Sequence, residues 1–182
     1  MSETLPIPIV VVLSAAVTAA ATDLRSWKIP NALTLPLLVS GLAYHGIVSG
    51  GAGLGASLVG VIFAFAVLIF PYLTGGMGAG DLKLLAGIGA WLGMPITLYV
   101  FLASSLAAGV YAAVIVLLRG NFQETWVNLK LICLRLTAIG RHIQAEDRVE
   151  AQLERDDRRH RLVPFGAMIA VGVVATLMWI AL

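Results

Sequence analysis

Residues Leu84 to Leu118 read LLAGIGAWLGMPITLYVFLASSLAAGVYAAVIVLL, without one charged side chain. A helix needs about 20 apolar residues to cross the ~30 Å hydrocarbon layer of a bilayer. This run is therefore too long for one crossing and long enough for two. Gly93-Met94-Pro95 is the place for it to break. Proline has no amide proton to give a helix and pushes the residue before it out of helical conformation. The first piece, 82–94, is then short. At ~1.5 Å per residue it covers about 20 Å. Either the bilayer thins there, or the residues just ahead of it sit below the membrane surface.

The same ruler finds six apolar segments, roughly 5–22, 33–49, 54–74, 82–94, 96–118 and 163–182. Composition agrees. The chain is 59% hydrophobic and 12% charged, where a soluble domain carries roughly 25% charged residues. Such a chain cannot cover its surface with polar groups, so lipid is its solvent. The first segment reads as a retained span. Ser2 and Glu3 precede it in place of a basic stretch. Asp23-Leu24-Arg25 follows where small residues would mark a cleavage site.

The basic residues set the orientation. Arg25, Lys28, Lys83, Arg119 and all those from Lys130 to Arg161 fall in or beside the loops after spans 1, 3 and 5. Positive residues stay on the cytoplasmic side. The expected fold is all-α: a polytopic membrane protein, one domain over 1–182, about six transmembrane helices, N-terminus outside. In the hydrophilic loop 119–162, Phe122, Trp126, Leu129, Cys133, Leu136, Gly140 and Ile143 recur at helical spacing. They predict an amphipathic helix on the cytoplasmic leaflet. Glu146 to Arg161 mixes both charge signs and reads as a solvated helix or loop.

Two acids need explaining. Most carboxylates lie in the N-terminal tail or the hydrophilic loop, but Asp23 and Asp81 each abut an apolar span. Ionisable groups at membrane depth are costly and by default suggest function. The topology puts both at the cytoplasmic face, where they meet if spans 1 and 4 pack together. Two adjacent carboxyls cannot both ionise cheaply, so one keeps a proton. The ionised member can then draw a proton from water while the other polarises a carbonyl. Gly75, Gly76, Gly78 and Gly80 precede Asp81, and Gly87 and Gly89 follow it. Bare backbone of this kind lets an extended peptide lie close. Plainer readings stand beside these. Asp23 could pair with Arg25 or Lys28, Asp81 could cap its helix, and the glycines could serve helix packing. Cys133 is the single cysteine, which excludes disulfide frameworks within the chain. His45 stands alone near the outer end of span 2, and His142 and His160 lie in the charged loop. No metal, cofactor or nucleic-acid partner is expected.

Three pieces in order carry a resemblance. They are Asp23-Leu-Arg-x-x-x-Ile29-Pro30-Asn31, then Gly78-Ala-Gly80-Asp81-Leu-Lys83-Leu, then Val163-Pro164-Phe165-Gly166. Together they resemble the type IV prepilin (leader) peptidases, a family of GxGD aspartyl peptidases. The resemblance implies that Asp23 and Asp81 are the catalytic pair. It implies cleavage of a basic leader from prepilin-like proteins at the cytoplasmic face of the inner membrane. It assigns Gly78, Gly80, Lys83, Arg25, Pro30 and Asn31 to support or substrate binding, with Asn31 capping span 2. Lys83 also reads as a plain positive-inside anchor.

Two departures stand out. Many bacterial members have an N-terminal region with paired cysteines that accompanies N-methylation, so no methyltransferase activity and no S-adenosylmethionine site are expected here. The chain is similar to the short form of tight-adherence (Flp-type) pili or archaeal flagellin-type systems. Ala167 follows Pro-Phe-Gly where the family often has proline. That motif is distant in sequence from both acids, so it is expected to matter little to the chemistry. The presenilin and signal-peptide-peptidase group also uses GxGD, but with its partner acid in a Tyr-Asp pair inside a span, whereas Thr22 precedes Asp23. A non-catalytic assembly or transport subunit is the other rival. A transporter would carry polar groups at the midplane, where these spans hold mainly Ser, Thr and Gly. The expected partners are prepilin-like substrates and the lipid bilayer, and the sequence leaves self-association open.

Overall fold

A computed structural model describes residues 6–26, 28–73, 77–119 and 164–181. The chain divides into two compact units, Met1–Ala108 with Pro164–Leu182, and Gly109–Val163. In the second unit, described residues 109–119 are helical. The amphipathic helix expected after 119 and the charged stretch Glu146 to Arg161 lie outside the described residues. The described residues form four α-helices: α1 (Pro6–Ser26), α2 (Asn31–Leu73), α3 (Ala79–Arg119) and α4 (Phe165–Ala181). The all-helical expectation holds. The first three are long and apolar enough to cross a membrane, and α4 is a shorter apolar helix.

Neither α2 nor α3 is a straight rod. The 43 residues of α2 would reach about 65 Å if straight. Gly50 interrupts it at φ 61°, ψ −148°, and Gly93 interrupts α3 at φ 72°, ψ 173°. That region of backbone space is open essentially only to glycine. At Gly50 the chain folds back on itself. The space beside Gly53 is filled by the His45 carbonyl and the Ser49 side chain. Trp91 Nε1–H donates to the Leu37 carbonyl at 2.9 Å, and the Ser57 hydroxyl donates to the Ala90 carbonyl at 2.6 Å. Leu37 and Ser57 would stand about 30 Å apart along a straight helix, yet they bond adjacent residues of α3. The break after Gly93 follows the same logic. Leu92 and Ile96 line a cavity with Leu177 and Ile180 of α4. Further on, Val100 and Ser104 crowd Gly172. The second half of α3 thus runs antiparallel to α4 through residue 104.

The core is organised around one short stretch. Every residue from Leu84 to Trp91 is buried. Two turns of helix with no exposed face must be surrounded on all sides. Small residues let the neighbours close in. Gly41 faces Ala90 and Trp91, Gly60 faces Gly89, and Gly87 faces Leu37. Helix α1 packs on α4. The outer faces carry exposed Ile47, Leu106 and Trp179 among many apolar side chains, a surface suited to contact with apolar partners. One end of the bundle holds Ile9, His45, Trp91 and Leu177 around the α3–α4 cavity. There a His45 ring nitrogen lies 2.9 Å from the Trp91 carbonyl, and the Tyr44 and Trp91 rings stack at 5.1 Å. The other end holds Asp23 and Asp81.

Candidate active site

Asp23 lies in the last turn of α1. It extends a stripe of buried residues, Val12, Ala16 and Ala19, at the spacing that repeats one helix face. The stripe carries its side chain inward, where the residue is 7% exposed. Arg25 and Lys28 are exposed. Asp23 Oδ2 is buried and has no hydrogen-bond partner among the described residues, so neither cation bonds that oxygen. An interfacial ion pair therefore does not account for it.

Asp81 lies in the first turn of α3. Gly78 precedes the first helical residue, Ala79. The Asp81 carboxylate accepts a hydrogen bond from the Gly78 backbone N–H. This is the return half of a capping box, an acid at the third helical position reaching back to the cap. Asp81 does cap its helix, as the plainer reading held. Capping also fixes where its carboxyl sits. Gly78 itself is exposed, so bare backbone is open beside a half-buried acid.

Ile29, in the short link between α1 and α2, joins the parts. A Cβ on Gly80 would stand 3.0 Å from Ile29 Cβ, and one on Gly166 would stand 2.8 Å from Ile29 Cδ1. The same Cβ on Gly166 would lie 3.0 Å from Asp23 Oδ2. Asp23 and Asp81 are close enough for the charge of Asp23 to act on Asp81. The structure thus gathers Asp23, Asp81, Gly78 and Gly80 at one end of the bundle.

The remaining expected residues divide. The Pro30 carbonyl accepts hydrogen bonds from the amides of Leu33 at 3.0 Å and Thr34 at 3.4 Å. Pro30, not Asn31, is therefore the cap of α2, which corrects the sequence expectation. Asn31 is the first helical residue. Its Oδ1 accepts from Lys83 Nζ at 2.9 Å, a bond that ties the start of α2 to the first turns of α3. Arg25 is exposed and adds no hydrogen bond to the cluster among the described residues.

Sequence reasoning missed the start of α4. The backbone amides of Gly166 and Ala167 hydrogen-bond the Asp23 carboxylate. The Pro-Phe-Gly motif is far from both acids in sequence and adjacent to one of them in space. Its signal is present in the sequence as a motif, but its distance from both acids along the chain hides the contact. Chemically, the cluster offers two carboxyls, one of them buried with a free oxygen, beside accessible glycine backbone. Such a pair can move protons to and from one water.

The model of the Type IV leader peptidase family matches residues 10–113, more than half of the chain and inclusive of both acids. Curated proteins named prepilin leader peptidase/N-methyltransferase are similar over this region. The protein from Aeromonas salmonicida is 41% identical over 109 residues, covering 56% of this chain and 37% of that protein. The one from Burkholderia pseudomallei is 36% identical over 111 residues, 57% of this chain and 35% of that protein. The one from Neisseria gonorrhoeae is 33% identical over 106 residues, 54% and 37% of the two. The match thus spans little more than a third of each relative's length. No solved structure matches.

Proposed function

The chain belongs to the type IV leader peptidase family, and from that premise we propose that it is a membrane aspartyl endopeptidase removing the basic leader from prepilin-like proteins. The observation that carries the reading is the approach of Asp23 to Asp81, from different helices, at one end of an apolar bundle. In this scheme one carboxyl is ionised and the other holds a proton. The ionised oxygen takes a proton from water as that water attacks the scissile carbonyl. The protonated carboxyl gives its proton to the carbonyl oxygen, and the tetrahedral intermediate then collapses. The carboxyl that took the water's proton gives it to the leaving nitrogen as the C–N bond breaks, the other takes back a hydroxyl proton of the intermediate, and the pair returns to its starting state.

The membrane topology belongs to the same proposal. The turns at Gly50 and Gly93 divide α2 and α3, which supports a reading of six crossings with α1 and α4, the N-terminus outside. Arg25, Lys28 and Lys83 share the end that holds the acids, so the positive-inside rule turns that end to the cytoplasm. A substrate anchored by an apolar N-terminal helix would present its leader there. The Flp-type pilins are the proposed substrate class, and the inner membrane is the proposed location. The relatives' name includes an N-methyltransferase; the proposal for this chain covers cleavage alone.

Co-expression with prepilins that carry basic leaders tests it. Processing should occur with the native chain and vanish with Asp23→Asn and with Asp81→Asn, while both variants accumulate in the membrane. Full processing by either variant would leave a non-catalytic assembly or transport role as the better description.

A further inference from the structure

We infer that the first turn of α4 is a positioning element of the active site, with Gly166 seating the Asp23 carboxyl toward Asp81. The inference rests on the peptidase reading. Asp23 is placed awkwardly by its own helix. It sits in the last turn of α1, where the free carbonyls of a helix end repel a carboxylate. Exposed Arg25 and Lys28 lie nearby in sequence and would compete for it. The buried stripe of α1 turns the side chain inward, but the amides of a helix's last turn are already bonded within it and offer the carboxyl no donor.

The start of α4 supplies the donors. The first amides of a helix have no partner within it. Those of Gly166 and Ala167 find theirs in Asp23. The turn that presents them is fixed from both sides. Pro164 is buried, and its carbonyl takes the Met168 amide at 3.2 Å. Phe165 packs on the hydrophobic core. Gly166 leaves no slack. A Cβ there would stand 3.0 Å from Asp23 Oδ2, 3.2 Å from Asp23 Cβ and 2.8 Å from Ile29 Cδ1. A second observation points the same way. Asp23 Oδ2 is buried and without a partner among the described residues. The carboxyl is therefore held by donors and yet keeps one oxygen uncommitted, open to taking or sharing a proton. Residues 164–167 lie beyond the 10–113 that match the family, so this part of the site is read from the structure of this chain.

The test uses the full chain, purified in detergent, acting on a purified prepilin with its basic leader intact. Gly166→Ala should lower kcat by about 100-fold, the scale of an ~1 Å misplacement of a reacting group, with KM within a few-fold. The double variant Gly166→Ala with Ile29→Val removes the Ile29 Cδ1 contact and leaves the Asp23 contact in place. Compared with Ile29→Val alone, it should stay impaired. Recovery in the double variant would show that packing on Ile29 was the cause and overturn the inference. So would normal kcat in Gly166→Ala. If Gly166→Ala fails to accumulate, the double variant, relieved of the Ile29 contact, decides against Ile29→Val alone. If Asp23→Asn still cleaves, the peptidase reading itself falls; if Asp23→Asn is inert and the Gly166 variants are normal, this inference alone falls.

Discussion

Gly60 and Gly89 meet backbone to backbone, each filling the space where a side chain on the other would stand. The contact joins the second half of α2 to the buried stretch of α3. A methyl group on either residue must push two helices apart, because the obstacle is main chain and cannot rotate away. Gly89→Ala should therefore cost on the order of 1–3 kcal/mol, as overpacking in a filled core does. Gly55→Ala has nothing within 4 Å of the added methyl and should be neutral or stabilising by up to about 1 kcal/mol, the helix preference of alanine. Thermal unfolding in one detergent, monitored by helix content, compares the two.

The turn glycines make a different prediction, because their constraint is conformational. A Cβ on Gly50 would touch nothing, and one on Gly93 would approach Pro95 Cδ no closer than 3.9 Å. Their backbone angles alone exclude other residues. Gly50→Ala and Gly93→Ala should each destabilise by ~1–3 kcal/mol, although neither introduces a clash. Gly51, next in line and equally open, has no such angle, and Gly51→Ala should leave the melting temperature within a degree or two. Equal behaviour of Gly50→Ala and Gly51→Ala would contradict the fold-back.

Lys83 and Asn31 should be coupled. Their 2.9 Å hydrogen bond is exposed, so its worth is modest, about 1 kcal/mol in a double-mutant cycle of Lys83→Met and Asn31→Ala. The two single variants should lower the rate of prepilin cleavage by similar small factors, and the double variant should be little worse than either. Additive losses would mean that Lys83 acts on something other than Asn31.

The proposed topology predicts opposite accessibilities for two serines. Ser26 lies at the acid-bearing end and Ser49 beside the turn at the other, and both are exposed. In a chain whose Cys133 is replaced by Ser, Ser49→Cys should react with an impermeant thiol reagent added outside intact cells. Ser26→Cys should react after the cytoplasmic side is opened. The reverse pattern would invert the orientation.

Much of this architecture was legible because glycine and proline punctuate apolar sequence unambiguously. Gly93-Met94-Pro95 marked a break, and the chain turns at Gly93 itself. Asp23 and Asp81 stood out because a carboxylate beside an apolar run demands a reason. What escaped was set by contacts between distant segments. Helix α1 runs on to Ser26, past the apolar boundary near residue 22, because the inward stripe continues through Asp23. Asn31 has the composition of a helix cap, but Pro30 holds that place and Lys83 recruits the amide. The proximity of Gly166 to Asp23 could not be read from spacing at all. His45 stands alone in the sequence near the outer end of span 2. Its ring lies against the Trp91 carbonyl, a satisfied polar contact near the bundle end.

Because Leu84 to Trp91 is enclosed on every side, Asp81 is mounted at the mouth of the innermost rod of the assembly, while Asp23 hangs from a wall. The centre of a packed bundle is its least yielding part. On the proposed function, any movement that admits a polypeptide to the two acids, or grips it there, is then work for the wall, with the central rod as the fixed jaw.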